Sequence, residues 1–140
     1  MNFDLSEEQQ LLKDSVDRFV SDNYDLDTRQ SLSKNEAGFS DTYWQTMAEL
    51  GWLGVTVPEA HGGFGGNQAD TMVLMEAFGK GLVLEPFFAS AILGTRAIVS
   101  GGSEELKSKL LPELLNGASR LSLAYAEEQS RFDLEDVVTR

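Results

Sequence analysis

The spacing of apolar side chains along the first 120 residues predicts a series of helices. Behind Ser6, apolar residues recur at i, i+4, i+7 and i+8 from Leu12 to Val20, which places them on one face of a helix of about 18 residues. Ser6 and Gln9 have the spacing of a capping box, in which each side chain accepts the other's backbone N–H, so the helix begins there. Four further helices are predicted from their start signals or apolar stripes: after Ser40, over 67–78, after Pro86 and after Ser103.

Three segments depart from a simple helical pattern. Residues 51–66, GWLGVTVPEAHGGFGG, contain seven Gly or Pro in 16 positions, which predicts an ordered irregular connection. Residues 87–100 carry only one charge, Arg96, and predict a helix that is buried nearly all round. Pro112 is expected to break or restart the last helix, because proline lacks the backbone N–H that a helix interior uses.

The hydrophobic period changes after Arg120. Leu121 to Ala126 alternates with period two and predicts a half-buried strand, and residues 136–139 look like the start of a second strand. A strand and a fragment of its neighbour cannot form a stable sheet by themselves. We therefore predict a mainly α domain over residues 1–119, followed over 120–140 by the opening of a β domain that is truncated at Arg140.

Composition narrows the functional classes. The 140 residues carry 11 Lys and Arg against 23 Asp and Glu, a formal charge of −12, which argues against nucleic-acid or anionic-membrane binding. The absence of cysteine excludes disulfides and thiolate metal sites and fits a cytoplasmic protein. The longest apolar stretch, 86–93, is too short for a membrane span. Half of the net charge lies in residues 1–27, which is read as a solvated helix face or as an acidic surface for a partner.

No residue pattern forms a catalytic or metal-binding constellation. The glycines of 62–66 lack the spacing of a phosphate loop and are expected to form a turn. His61 is the only histidine, and both general-base catalysis and metal binding require positioned partners, so we expect a loop residue. Glu76 lies in an apolar helix and is expected to be partly buried, with a backbone N–H or Arg96 as its partner.

Four stretches occur in an order that carries a resemblance. Residues 51–65 read GWLGVTVPEAHGGFG, 3–9 read FDLSEEQ, 75–80 read MEAFGK and 107–117 read KSKLLPELLNG. In this combination the chain resembles the acyl-CoA dehydrogenase family, whose N-terminal domain carries a G-W-x-G-x-x-x-P-E-x-x-G-G-x-G pattern between two helices. The resemblance implies an orthogonal, up-and-down helical N-terminal domain, a β-barrel middle domain and a C-terminal four-helix bundle.

The resemblance also implies a reaction and a cofactor. It points to an oxidoreductase of fatty acid metabolism, in which FAD accepts a hydride during α,β-desaturation of an acyl-CoA thioester. The family's catalytic glutamate would lie beyond Arg140, so no catalytic residue is assigned here, and we expect the 140 residues alone to be inactive. An acyl-CoA oxidase or a flavin monooxygenase would keep the same fold with different chemistry.

Two groups of site residues follow from the resemblance. The substrate-binding residues expected to line an acyl pocket are Phe87, Phe88 and Ile92. The cofactor-binding residues expected to face FAD are Leu123, Ala124, Tyr125, Ala126 and Ser130. Ala126 stands where the family has a flavin-binding threonine and Glu128 stands where it has proline, so Ser130 is the nearest hydroxyl.

The same region resembles one branch of the family more closely. LVLEPFF and EEQSRFDL are similar to the small subunit of pimeloyl-CoA-dehydrogenase-like proteins, which pairs with a related subunit. A homo- or hetero-oligomer is therefore expected. The alternative function is a non-catalytic assembly subunit or helical interaction module of a heteromeric acyl-CoA dehydrogenase, which would work through the acidic surface.

Overall fold

The structure is a computed structural model that describes residues 4–131 and 133–139. Expectations that involve Phe3, Phe132 or Arg140 lie outside these residues. The chain folds into helices: α1 (Glu7–Asn23), α2 (Leu26–Leu32), α3 (Asp41–Glu49), α4 (Gln68–Gly81), α5 (Thr95–Gly101) and α6 (Glu104–Leu115). The mainly α fold class is confirmed. In the part of the chain that the structure describes, no helix is long and apolar enough to cross a bilayer.

The predicted helix starts are formed by side-chain caps. The Ser6 hydroxyl accepts the Gln9 N–H at 3.2 Å, while the Gln9 side chain accepts the Ser6 N–H at 3.0 Å, which completes the capping box of α1. Ser40 caps α3 and Ser103 caps α6 in the same way, each accepting an N–H three residues later. These contacts satisfy backbone donors that the first turn of a helix leaves unpaired.

The core is an aromatic cluster between α1 and α4. Val16 and Phe19 of α1 are buried against α4, and the Phe19 ring meets the Trp52 ring edge-on at 5.4 Å between centroids. Trp52 in turn contacts Phe78 of α4 at 5.8 Å. A smaller cluster forms around Val57, Leu111 and Leu114. The aromatic pairs and the apolar area they bury hold the helices at fixed positions.

The glycine-rich connection is ordered, as predicted. It contains two 3₁₀ turns, Trp52–Gly54 and Glu59–His61, and Leu53 and Val57 bury their side chains beside them. At Gly63 the connection passes so close to Val57 that a Cβ would lie 2.1 Å from the Val57 carbonyl oxygen. Glycine is required there by the close approach of two backbone segments.

Two expectations about the helices are wrong. Pro112 lies inside α6 and does not break it, because burial of Leu111 and Leu114 on either side offsets the one missing hydrogen bond. The segment 87–100 is not buried all round: Phe88 is 52% exposed, and nothing among the described residues covers that face. Only the side that carries Phe87, Ser90, Ala91 and Thr95 is buried.

The strand predicted for Leu121–Ala126 is not formed. Residues 121–127 and 136–139 contain no strand. A strand is defined by its hydrogen-bonded ladder, and neither segment has a ladder partner among the described residues. The side chains of 122–126 are all exposed, so the alternation does not produce a buried and an exposed face.

Candidate functional site

An apolar cleft of about 340 Å³ lies between α4 and the segment that follows it. We call it the Phe88 cleft. Its apolar lining consists of Met75, Phe78, Leu82, Val83, Phe87 and Phe88. Phe87 is only 2% exposed and stacks edge-on against Phe78 at 4.9 Å, whereas Phe88 is 52% exposed. Phe87 therefore forms the fixed floor of the cleft, and Phe88 forms an accessible edge.

The cleft brings together two of the three residues expected to bind substrate. Phe87 and Phe88 both line it, although they are adjacent in the chain, because the backbone turns between them at the start of a helix. Ile92 is half-buried, packs against the main core and is not among the lining residues. The structure therefore places Ile92 at the edge of the core and outside the cleft.

The polar end of the cleft is a buried carboxylate whose oxygens are both occupied. Glu85 is 6% exposed, one of its oxygens accepts the Tyr24 hydroxyl, and the other accepts the Ser40 N–H at 3.1 Å. Burial, followed by the hydrogen bond to Glu85, raises the pKa of Tyr24 well above its usual range. Glu85 thus joins Tyr24 and Ser40 at this end of the cleft and has a structural role there.

A π-helical turn, Phe88–Gly94, follows the cleft. Ser90 is 2% exposed, and its carbonyl oxygen accepts the Thr95 hydroxyl at 3.0 Å. The Ser90 hydroxyl accepts the backbone N–H of Leu121 at 3.0 Å. The apolar pattern of 87–100 gave no indication of this turn; the one signal is the pair of hydroxyl residues five positions apart, the π-helical spacing.

The segment expected to face FAD, Leu123–Ala126, is open to solvent. Leu123 is 42% exposed and Tyr125 is 61% exposed, and Ala124 and Ala126 are also exposed. Within the segment the Tyr125 N–H donates to the Leu123 carbonyl oxygen at 3.0 Å, so these two backbone groups are paired with each other. The exposed side chains leave room for a planar ligand such as a flavin ring. The Ser130 hydroxyl is only 5% exposed and is engaged in its own turn, since it donates to the Glu127 carbonyl oxygen at 3.0 Å and accepts the Glu127 N–H at 3.1 Å.

The Glu127 carboxylate holds the last described residues against this turn. It accepts the Gln129 side-chain amide at 2.7 Å and the backbone N–H groups of Val138 and Thr139 at 2.9 and 3.1 Å. These hydrogen bonds favour the ionised form and lower the pKa of Glu127 to about 2. Sequence reasoning missed this carboxylate, because its main-chain partners are 11 and 12 residues away.

We expect the Val138 and Thr139 contact to persist in mild acid. Since the folded pKa lies below the unfolded value of 4.5, the contact is complete above that pH and is lost as the pH falls through about 2. In an NMR titration, the amide shifts of Val138 and Thr139 should stay constant from neutral pH to about pH 4 and move with a midpoint near pH 2. Glu127→Gln should abolish the transition, and the neighbouring Glu128→Gln should leave it unchanged; a midpoint near 4.5 would contradict the assignment.

A second groove, of about 450 Å³, has acidic side chains at its rim. We call it the acidic groove. Its apolar residues are Leu12, Leu50, Trp52, Val55 and Phe64, and its acids are Glu8, Glu59 and Asp70. Phe64 is 66% exposed and Leu50 is 46% exposed, while no Lys or Arg is among the lining residues.

His61 and Glu76, the other two residues singled out in the sequence, form ion-pair contacts at the surface. His61 lies 3.8 Å from the exposed Glu104 carboxylate and lines neither the Phe88 cleft nor the acidic groove. Glu76 is 54% exposed and pairs with Lys80 at 2.8 Å, which lowers the pKa of Glu76, so the expected partial burial is wrong. Glu76 lies on the exposed face of α4, and Lys80 lies one turn later on the same face, so the two side chains pair.

Comparison with known proteins identifies the family. The family model described as acyl-CoA dehydrogenase, N-terminal domain, matches residues 6–118. The chain belongs to the acyl-CoA dehydrogenase family. The mitochondrial isovaleryl-CoA dehydrogenase of Bos taurus is 30% identical over 132 residues, which cover 93% of this chain and 31% of that protein. This acyl-CoA dehydrogenase domain thus spans about a third of the length of that relative.

Solved structures of the family have the same fold. A chain of the ChsE4–ChsE5 complex from Mycobacterium tuberculosis superimposes with a TM-score of 0.84 at 27% identity, over 94% of this chain and 36% of that one. An acyl-CoA dehydrogenase complexed with FAD from Bacillus anthracis gives a TM-score of 0.82 at 29% identity, over 94% and 23%. The helical architecture of the acyl-CoA dehydrogenase N-terminal domain is therefore shared with solved structures of the family.

Proposed function

We propose that this chain is the N-terminal part of an FAD-dependent acyl-CoA dehydrogenase that desaturates an acyl-CoA thioester between its α and β carbons. The observation that carries the proposal is the Phe88 cleft, an apolar recess with an accessible aromatic edge. Family membership supports the reaction class. In this proposal residues 1–119 form the helical domain and 120–140 begin the middle domain, and the protein acts in the cytoplasm.

The Phe88 cleft would hold part of the acyl chain. Phe87 and Phe88 present ring carbons to it, and Ile92 packs against the core nearby. Binding of an alkyl chain in the cleft lowers the free energy, because it removes apolar surface from water. In this proposal Glu85 is structural, because its oxygens accept the Tyr24 hydroxyl and the Ser40 N–H. The catalytic glutamate would be supplied by the family's C-terminal bundle, as the resemblance implies.

The open segment after Leu121 would hold the flavin. Leu123, Ala124, Tyr125 and Ala126 would present backbone groups and exposed side chains to the ring, and FAD would supply the hydride acceptor. Ser130 would support this surface through its turn with Glu127, and would reach the cofactor directly only by releasing that turn.

The test uses the protein as its source produces it. We expect bound FAD, seen by its visible absorbance, and reduction of that flavin by an acyl-CoA, whereas the isolated 140 residues should be inactive. Phe88→Ala should raise KM about three- to tenfold, because it removes accessible apolar contact from the cleft. Leu11→Ala, an equally apolar change at a 70% exposed position outside the cleft, is the control and should leave KM unchanged. A protein without FAD, or one indifferent to Phe88→Ala, would refute the proposal.

The acidic groove favours a second candidate, a non-catalytic assembly subunit or interaction module. Apolar residues at its floor and carboxylates at its rim suit a basic segment with an apolar anchor on a related dehydrogenase subunit. The Mycobacterium tuberculosis structure that shares this fold is a complex of ChsE4 with ChsE5. This candidate predicts a colourless protein that co-purifies with a homologous flavoprotein, and loss of that pairing in Phe64→Ser but not in Phe88→Ser.

Oxygen consumption distinguishes a dehydrogenase from a third candidate, an oxidase or monooxygenase with the same fold. An acyl-CoA oxidase or flavin monooxygenase would consume oxygen on turnover with acyl-CoA, whereas a dehydrogenase would reduce an added electron acceptor without doing so.

A further inference from the structure

We propose that Ser90 is a positioning residue: through its hydroxyl, the π-helical turn holds the backbone at Leu121 and so sets the place of the flavin-facing segment, Leu123–Ala126. The inference rests on the proposed function, because the flavin-facing role belongs to that proposal. Ser90 is not among the residues that line the Phe88 cleft, and its hydroxyl bonds to Leu121, so it would act through Leu121.

The hydrogen bond joins two parts of the chain that are distant in sequence. Ser90 and Leu121 are 31 residues apart, and the Ser90 Oγ accepts the Leu121 N–H at 3.0 Å. Ser90 is 2% exposed, so water does not compete effectively for this contact. A buried hydroxyl that pairs with a main-chain donor fixes the position of that donor more firmly than an exposed one.

The Ser90 carbonyl oxygen and the Ser90 hydroxyl have different partners. The carbonyl oxygen accepts the N–H and the hydroxyl of Thr95, a contact within the helical segment. The hydroxyl accepts the Leu121 N–H and so joins the π-helical turn to a distant part of the chain. Removal of the Ser90 hydroxyl therefore breaks the link to Leu121, whereas removal of the Thr95 hydroxyl leaves that link in place.

Close packing at Gly94 makes a second, independent contact at the same point. A Cβ on Gly94 would lie 2.5 Å from the Leu121 Cβ, so the turn and Leu121 meet without room for one more methyl group. The Leu121 side chain also packs against the cluster of Val57, Leu111 and Leu114. Leu121 is therefore held by its main chain and by its side chain, two residues before the open segment starts.

The same turn also carries an edge of the Phe88 cleft. Phe88 begins the turn and Ser90 lies two residues later, so one rigid element bears both the cleft edge and the anchor of the flavin-facing segment. Two residues of extended chain span about 7 Å at most. The anchor thus limits how far Leu123 can move from the cleft.

The experiment uses the FAD-containing protein as its source produces it, with three variants. Ser90→Ala removes the acceptor of the Leu121 N–H, and Gly94→Ala pushes Leu121 away. Thr95→Val is the matched control, since it removes a neighbouring buried hydroxyl whose hydrogen bond is to the Ser90 carbonyl oxygen and not to Leu121. The readouts are hydrogen exchange at the Leu121 amide, the FAD dissociation constant and the visible circular dichroism of the flavin.

We expect Ser90→Ala and Gly94→Ala each to speed exchange at Leu121 and to weaken FAD binding about five- to tenfold, with an altered flavin dichroism. Thr95→Val should leave the dichroism and the FAD affinity unchanged even where it lowers the melting temperature. Unchanged flavin affinity and dichroism in Ser90→Ala would overturn the inference while the proposed function stands. Absence of FAD from the unsubstituted protein would refute the proposed function, and the inference with it.

Discussion

Phe87→Ala is expected to lower the free energy of unfolding by about 3–5 kcal/mol. Phe87 is 2% exposed and its ring meets Phe78 edge-on at 4.9 Å, so truncation removes buried apolar area, an aromatic contact and the floor of the cleft at once. The cavity that remains can close only partly, because Phe78 is itself fixed by Trp52. Urea unfolding followed by circular dichroism measures the change.

The neighbouring phenylalanine provides the matched control. Phe88→Ala makes the same chemical change at a side chain that is 52% exposed, and should cost about 0.5 kcal/mol or less. The pair separates stability from binding, since Phe88→Ala is expected to affect substrate and Phe87→Ala the fold. Equal destabilisation by both variants would contradict this, because it would show that the Phe88 side chain is buried in the protein as its source produces it.

Gly63→Ala is expected to destabilise the chain by about 3 kcal/mol. Its Cβ would lie 2.1 Å from the Val57 carbonyl oxygen and 2.5 Å from the Val57 Cβ, and Val57 is buried in the second core cluster. Neither backbone can yield without moving the whole glycine-rich connection. Thermal unfolding should show a lower melting temperature, together with changed NMR shifts at Val57.

At a second glycine, Gly79, substitution by alanine is expected to raise the stability. Gly79 lies in α4 with nothing within 4 Å of a built Cβ, so Gly79→Ala should stabilise by about 0.5–1 kcal/mol through helix propensity. Destabilisation at both positions would contradict the explanation from close backbone approach at Gly63.

Local signals in the sequence predicted much of the fold. The Ser6 capping box, the Ser40 cap and the apolar stripe of α1 are contacts between residues three to eight positions apart, so a single sequence shows them. The glycine-rich connection was equally visible, because glycine and proline restrict which elements can form. The residue pattern favoured core filling for Phe87 and Phe88, which describes the 2% exposed Phe87 but not the 52% exposed Phe88. Their role in an acyl pocket stays a prediction from the resemblance.

Long-range contacts explain what the sequence did not show. Tyr24 and Glu85 meet across 61 positions, and no periodicity connects a tyrosine with a glutamate that precedes a proline. The π-helical turn depends on Leu121, 31 residues later, so a helical pattern alone cannot distinguish it from a regular helix. The strand at 121–126 was predicted from the alternation of apolar and polar side chains, and that pattern does not show whether a second strand is present to pair with it.

The buried phenol of Tyr24 has a consequence for alkaline spectroscopy. Its pKa lies well above that of a free tyrosine, because the phenol is buried and because its hydroxyl donates a hydrogen bond to Glu85. The 295 nm absorbance gained on alkaline titration should therefore count one chromophore fewer in the folded protein than in the unfolded chain. Since the unfolded form ionises first, stability is complete below about pH 10 and declines above it. Alkaline pH should therefore weaken the packing at the junction of α1 and the cleft, where the Tyr24 ring lies.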